Sequence, residues 1–239
     1  KQRSDLEGKK ILVTAGATFE EIDPVRVITN KSSGKMGNAI AEQAFLRGAE
    51  VYLLRGHNSA EPHYNINEEK FTTVDDLFQK IKNKIKTFDI VIHAAAVSDF
   101  ELDNKIRKKI KSNKELHLEL TPTTKILENF KQFNKKIFLV GFKAEYNFPK
   151  NELVNSAYNL LKNANADLIV ANDVGKENVG FDADTNEVFV VDKNRKVEHI
   201  RLSDKKVVAD RLLDMIIKKI KFDNKYHLRR NFKPVTGSN

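Results

Sequence analysis

Ile11-Leu12-Val13-Thr14-Ala15-Gly16-Ala17-Thr18 is the stretch on which the fold turns. A short apolar run stopped by a glycine reads as a strand buried on both faces, the kind found inside a parallel sheet. Residues 51–55, 89–96, 137–142 and 167–171 repeat the pattern. Helix-period stretches separate them. Residues 36–47 place Ile40, Ala41, Ala44 and Phe45 on one face and stop at Gly48, as a helix with a glycine C-terminal cap would. Residues 74–88 repeat Leu77, Phe78, Ile81, Ile85 and Phe88, with Lys80, Lys82, Lys84 and Lys86 opposite, and residues 153–164 form a third such helix. Strands alternating with helices imply an α/β fold, a Rossmann-like parallel sheet with helices on both faces.

Past Asn172 the pattern changes. Residues 187–191 and 196–200 flank a turn at 192–195, a hairpin signature, and residues 204–220 predict a closing helix faced by Leu212, Leu213, Ile216, Ile217 and Ile220. Residues 115–120 alternate strictly and predict one more short strand, so the sheet gains a small β-hairpin and flap addition. Residues 65–70 and 172–185 read as loops. One domain is expected over 1–222, with a flap at about 100–114. A basic tail follows over 223–239, expected to be disordered or partly vector-derived.

The 239 residues carry a formal charge of +9, with 40% apolar and 31% charged residues, which fits a domain with a real core. There is no cysteine, so disulfide scaffolds, thiolate metal sites and cysteine nucleophiles are excluded. The apolar runs fall short of the roughly 18 to 20 residues of a membrane span. The chain opens on Lys1 with a polar stretch through Lys10 and no secretory apolar region, and is expected to be cytoplasmic and cut from a longer protein. The charge is concentrated. Residues 105–114 hold six Lys or Arg and no acid, and residues 218–233 hold seven against Asp223. These two segments account for +12, so the rest nets −3. A cationic flap beside a mildly acidic body suits a small polyanion better than a nucleic-acid groove.

In an open parallel sheet, ligands sit at the carboxyl ends of the strands. There Ser32-Ser33-Gly34-Lys35-Met36-Gly37 offers a serine N-cap, a glycine for close backbone approach and a lysine at a helix N-terminus, the makings of a phosphate site. Asn30 supplies an amide suited to an acyl or carboxylate oxygen. His93-Ala94-Ala95-Ala96-Val97-Ser98-Asp99 ends another strand: the alanines admit a flat ring, and Asp99 suits ribose hydroxyls or a divalent cation. His93 itself reads as a core histidine. Thr121-Pro122-Thr123-Thr124 is a hydroxyl-rich turn before a helix, and Phe142 gives an aromatic face at the end of the fourth strand.

Two competing functions are weighed against these residues. Tyr158 and Lys162 have the spacing of an NAD(P)-dependent short-chain reductase, yet no Gly-x-Gly-x-x-Gly follows the first strand, only Gly16 and, much later, Gly34 and Gly37. The basic tail, with Phe222, Tyr226 and Phe232, supports weak phosphate contact and no recognised nucleic-acid fold.

Taken together, residues 11–18, Asp23-Pro24-Val25-Arg26 through Gly37, residues 94–99, Lys109-Ile110-Lys111, residues 141–145, Ala171-Asn172-Asp173-Val174 and Gly180-Phe181 resemble the phosphopantothenate–cysteine ligase family. The resemblance runs from Gly8 to about Lys221. It implies a ligase of coenzyme A biosynthesis that joins 4′-phosphopantothenate to L-cysteine through an acyl-cytidylate, with CTP as co-substrate, Mg²⁺, and no flavin in this domain. It implies a homodimer and, in the full-length protein, fusion to a flavin-dependent decarboxylase. No membrane and no nucleic-acid partner is implied.

The resemblance also implies roles for single residues. Asn30 and Lys109 are the catalytic pair, Asn30 acting on the acyl-cytidylate and Lys109 reaching the nucleotide from the flap. Ala94, Ala95, Asp99, Thr121, Pro122, Thr123, Thr124 and Phe142 bind nucleotide, Arg26, Asn30, Ala95 and Ala96 bind substrate, and Asp23 joins Arg26 at the dimer interface; from the residues themselves, Gly16, Ser33, Gly34, Lys35 and Met36 are expected to join the nucleotide site and Asp99 to be a metal contact. The chain departs from the family where Gly16-Ala17-Thr18-Phe19-Glu20 lacks an arginine, and where Leu160 and Ala164 stand at lysine positions, with Lys162 as the expected substitute.

Overall fold

The computed structural model describes residues 3–104, 106–111 and 115–231, with side chains described to residue 222. Lys105 and Lys114 of the flap, and the tail from residue 232 on, lie outside the described residues. Among the described residues, twelve strands run in the order β1 (Lys10–Ala15), β2 (Phe19–Glu21), β3 (Val27–Thr29), β4 (Glu50–Gly56), β5 (Asn67–Phe71), β6 (Ile90–His93), β7 (Phe100–Leu102), β8 (Leu120–Pro122), β9 (Phe138–Glu145), β10 (Leu168–Asp173), β11 (Thr185–Asp192) and β12 (Val197–Asp204). Five α-helices intervene: α1 (Lys35–Leu46), α2 (Val74–Lys84), α3 (Ile126–Phe133), α4 (Lys150–Asn163) and α5 (Lys205–Asn231).

Eight strands make one sheet in the order β12-β11-β10-β9-β6-β1-β4-β5. From β5 to β10 every pair is parallel, and β11 and β12 add an antiparallel hairpin at one edge. The parallel run is the expected α/β sheet, and its apolar strands are buried on both faces: α1 and α5 pack on one, α2, α3 and α4 on the other. From β1 the chain first builds outward through β4 and β5, then returns to build the other way through β6, β9 and β10. The crevice between β1 and β6 is therefore a topological switch point, open at the carboxyl ends of both strands.

Several expectations need correction. Residues 65–70, read as a loop, contain most of β5, an edge strand with a single buried side chain, Phe71. Its Asn-Glu-Glu-Lys sequence carries no apolar run because Glu68 and Glu69 are there to bind Arg55 and Tyr52 of β4. The long first loop holds the β2–β3 hairpin, and of residues 115–120 only Leu120 is in a strand, paired through β8 with β7. The closing helix runs on past Ile220 to Asn231. No serine caps α1. Gly34 is its N-cap, with φ at 78° and no side-chain bond, while Ser33 Oγ donates to Phe181 O at 2.6 Å.

Candidate active site at the switch point

A close approach of α1 to β1 builds the floor of the site. A Cβ on Gly37 would lie 2.5 Å from Ala15 Cβ, and one on Gly16, whose φ is 84°, would lie 1.6 Å from Ser59 Oγ. The glycines that failed to form a contiguous nucleotide signature are thus gathered in space, so that the first turn of α1 sits against the end of β1. The amides of Lys35, Met36 and Gly37 have no acceptor among the described residues, as befits the first turn of a helix; the first intrahelical bond runs from Asn38 N to Gly34 O.

Across the crevice, the exit of β6 continues as a stitched extension. Ala94 N donates to Thr14 O, Ala95 N to Thr14 Oγ1, Ala96 N to Gly16 O, and Thr18 N back to Ala96 O. Ala94, Ala95 and Ala96 are half-buried and line the crevice, Ala95 also packing against the core on one side. Asn30 Nδ2 donates to Val97 O at 3.1 Å, which pins the end of the β2–β3 segment beside this strip. Thr123 Oγ1 donates to Ser98 O, carrying the same strip to the start of α3.

His93 closes the floor. It is buried, packs on Phe130 with ring centroids 5.2 Å apart, and has Nδ1 2.8 Å from Thr14 Oγ1. The same hydroxyl accepts from Ala95 N, so it ties the His93 ring to the alanine strip. Burial pushes the imidazole pKa down to about 4. The core reading of His93 agrees with this placement.

These elements enclose a cleft of about 530 Å³, in the range of small-molecule sites. It brings together Asn30, Ser33, Gly34, Lys35, Met36, Ala94, Ala95, Ala96, Asp99, Thr123, Thr124 and Phe142 from the expected set. Others fall outside its lining. Gly16 acts beneath it through packing, and Thr121 and Pro122 are in β8. Arg26 is bound to the buried Asp23 carboxylate at 2.5 Å and to Ile110 O, and Lys109 is exposed on the flap. Lys162 lies over the Tyr158 ring, 5.1 Å from its centroid, whereas the residue of α4 that lines the cleft is Leu160. The i,i+4 geometry sends Lys162 to the exposed face, so neither the substitute lysine nor a Tyr-Lys reductase pair reaches the cleft.

Asp99 is exposed and paired with Lys125, and no group of three His, Asp or Glu side chains among the described residues could hold a metal ion. The donor set does not fit a resident cation. Sequence reasoning missed Lys205, Asn186 and Val179, which also line the cleft. Lys205 is the first residue of α5 and only 6% exposed. Nothing in the sequence aims it at the switch point until the return of the β11–β12 hairpin is known.

Comparison with known proteins follows the same outline. The family model for the DNA/pantothenate metabolism flavoprotein C-terminal domain matches residues 6–220. The coenzyme A biosynthesis bifunctional protein CoaBC of Thermococcus kodakarensis is 46% identical over 215 residues, which is 89% of this chain and 52% of that protein. The chain thus spans about half the length of the curated relatives it matches. A crystal structure of the C-terminal domain of a CoaBC protein superposes with a TM-score of 0.76 at 34% identity, covering 91% of this chain and 98% of that one. A Cab2 H337A mutant in complex with phosphopantothenate-cysteine has the same fold, with a TM-score of 0.76 at 21% identity, covering 93% of this chain and 89% of that one. With the family model spanning nearly its whole length, this chain belongs to the DNA/pantothenate metabolism flavoprotein C-terminal domain family, the phosphopantothenate–cysteine ligase part of bifunctional CoaBC proteins.

Proposed function

We propose that this domain condenses 4′-phosphopantothenate with L-cysteine in two steps in the cleft between β1 and β6. A substrate carboxylate oxygen attacks the α-phosphorus of CTP; the new acyl–phosphate bond forms as pyrophosphate leaves. The amine nitrogen of cysteine then attacks the acyl carbon, CMP leaves with the C–O electron pair, and the amine gives up its proton as the amide forms. The observation that supports this reading is the cleft itself, whose lining holds the first turn of α1, the alanine strip and Asn30, the last bonded through its amide to Val97 O. The amides and Lys35 suit phosphate oxygens. The strip leaves room for a flat base, with Phe142 alongside. The Asn30 amide suits the acyl oxygen on which charge gathers.

The family membership and the product named in the Cab2 complex support the same substrates. Magnesium enters this reading as a companion of the triphosphate, in line with its preference for phosphate oxygens over all-protein cages, and no step is assigned to it. The rest of the full-length protein is assigned to the flavin-dependent decarboxylase that consumes the product, in keeping with the bifunctional relatives.

The test is direct. Protein, phosphopantothenate, cysteine and magnesium are mixed with CTP or with ATP, and pyrophosphate and the amide are followed by a coupled assay and mass spectrometry. Cysteine-dependent amide with CTP is expected; absence of both products with either nucleotide overturns the reading. Asn30→Asp should keep the fold and lose roughly 100-fold in turnover, because the carboxylate repels the developing charge that the amide would stabilise.

A further inference from the structure

We infer that Lys205 is an anion-binding residue of this cleft and holds the phosphates of the nucleotide, in the part for which α4 offers only Leu160. The inference rests on the nucleotide-dependent reading above and adds a residue to it. Its origin is topological. β11 runs antiparallel to β10 and β12 antiparallel to β11, so β12 ends at the same edge as the carboxyl end of β10, and the chain turns directly into α5. α1 and α5 pack on the same face of the sheet, and the first residue of each, Lys35 and Lys205, lines the cleft; the α5 terminus itself is capped by Asp204, which accepts from Lys206 N at 2.7 Å, so the side chain of Lys205 is what α5 offers to an anion.

Among the described residues, four lysines line the cleft: Lys35, Lys125, Lys143 and Lys205. The first three are each already paired with a carboxylate, Lys35 with Asp184 at 2.7 Å, Lys125 with Asp99 and Lys143 with Glu145. Lys205 is the most buried of the four and has no carboxylate in ion-pair contact among the described residues. Its Nζ donates to two backbone carbonyls, Phe181 O at 3.3 Å and Ala183 O. An ammonium has three N–H bonds, so one is left.

The hydrogen bonds of this buried ammonium go to neutral carbonyls, and the carboxylates of Asp184 and Asp182 act on it only from beyond contact distance, so its burial is costly and an arriving anion offsets that cost. Burial, and after it the nearby positive charge of Lys35, hold the Lys205 pKa below its ordinary value against the opposing pull of Asp184 and Asp182, so the two cations stand close enough to share an anion. The position is also fixed in advance. Phe181 O accepts from both Ser33 Oγ and Lys205 Nζ, so the loop between β10 and β11 ties the donors of α1 and α5 into one frame.

The experiment measures binding of inorganic tripolyphosphate and of CTP by calorimetry, which needs no ligase turnover. Lys205→Gln and the apolar Lys205→Met should each weaken both ligands roughly 10- to 100-fold. Lys205→Arg should restore most of the loss, and Lys206→Gln, the exposed neighbour, should stay within about twofold. In turnover, KM for CTP should rise with kcat little changed. If Lys205→Gln is unstable, Lys205→Met decides, because a well-packed apolar chain is tolerated where a buried charge stood. Wild-type affinity for tripolyphosphate in either folded variant overturns the inference. A wild-type protein that makes no amide, yet binds tripolyphosphate through Lys205, would instead overturn the ligase reading alone.

Discussion

Burial decides the protonation of His93, and the consequence is measurable. Its pKa falls from 6.5 to about 4 in the folded chain, so the neutral ring is the folded form. Above pH 6.5 both folded and unfolded chains carry it neutral and it costs nothing. Below that the unfolded chain binds a proton that the folded chain refuses, and stability is lost at about 1.4 kcal/mol per pH unit until the folded pKa is reached. Urea unfolding of the wild type should therefore show roughly 3 kcal/mol of stability lost between those limits that His93→Gln does not lose. Parallel pH profiles would remove His93 from the acid sensitivity. This residue was legible in the sequence because an apolar run on both sides of a histidine already speaks of burial. Asn30 and the alanine strip were legible for a related reason, since they lie next to strands whose ends are easy to find. Lys205 was not, because its neighbour in the cleft, Lys35, is far away in sequence and the hairpin between them sets the approach.

At the level of elements, the buried Asp23 carboxylate joins the β2–β3 turn to the flap. Its Oδ1 accepts from Val25 N and Arg26 N, and its Oδ2 from Ile110 N at 3.1 Å, while Arg26 donates to Ile110 O at 3.3 Å. Asp23 and Arg26 thus grip both polar groups of one flap residue. Burial alone would raise the Asp23 pKa, but the amides of Ile110, Val25 and Arg26 and the Arg26 charge outweigh it and hold it at about 2. The grip is therefore ionised at every pH above that and fails only as pH drops through about 2. Asp23→Asn replaces an acceptor by a donor that faces two other donors. Trypsin should then cut after Arg107, Lys108, Lys109 and Lys111 about tenfold faster at neutral pH, as the segment leaves its dock more often. An unchanged cleavage map would show that the flap is held by something else. The small strands and β5 escaped the sequence reading because they are short and mostly polar, and a strand of three residues has no period to detect.

For the whole molecule, the large sheet was readable because each buried strand announces itself, and the order of helices and strands then leaves few topologies. What such reasoning passes over is the surface built by the two small sheets. β2 packs against β7, and the two small sheets with the β2–β3 turn carry Val25 at 64%, Val27 at 45%, Phe100 at 50% and Leu120 at 41% exposure. Each small sheet has only two strands, so the outer edges of β3 and β8 have no neighbour among the described strands. Apolar side chains gathered on open strand edges are a liability in a monomer and are normally covered. A second copy related by a two-fold axis covers such a patch with itself, the commonest closed arrangement. Sedimentation should accordingly show a dimer at about 10 µM, a concentration at which an interface with a micromolar Kd is mostly formed. Val27→Glu and Phe100→Glu should each yield monomers with unchanged circular dichroism, because both side chains are exposed and neither belongs to the buried clusters around the main sheet. A monomeric wild type would overturn the dimer, and dimers that survive both charges would place the interface elsewhere. If the patch is the interface, the Asp23–Arg26 grip and the flap lie beside the partner, and dimerisation and flap position should respond to the same substitutions.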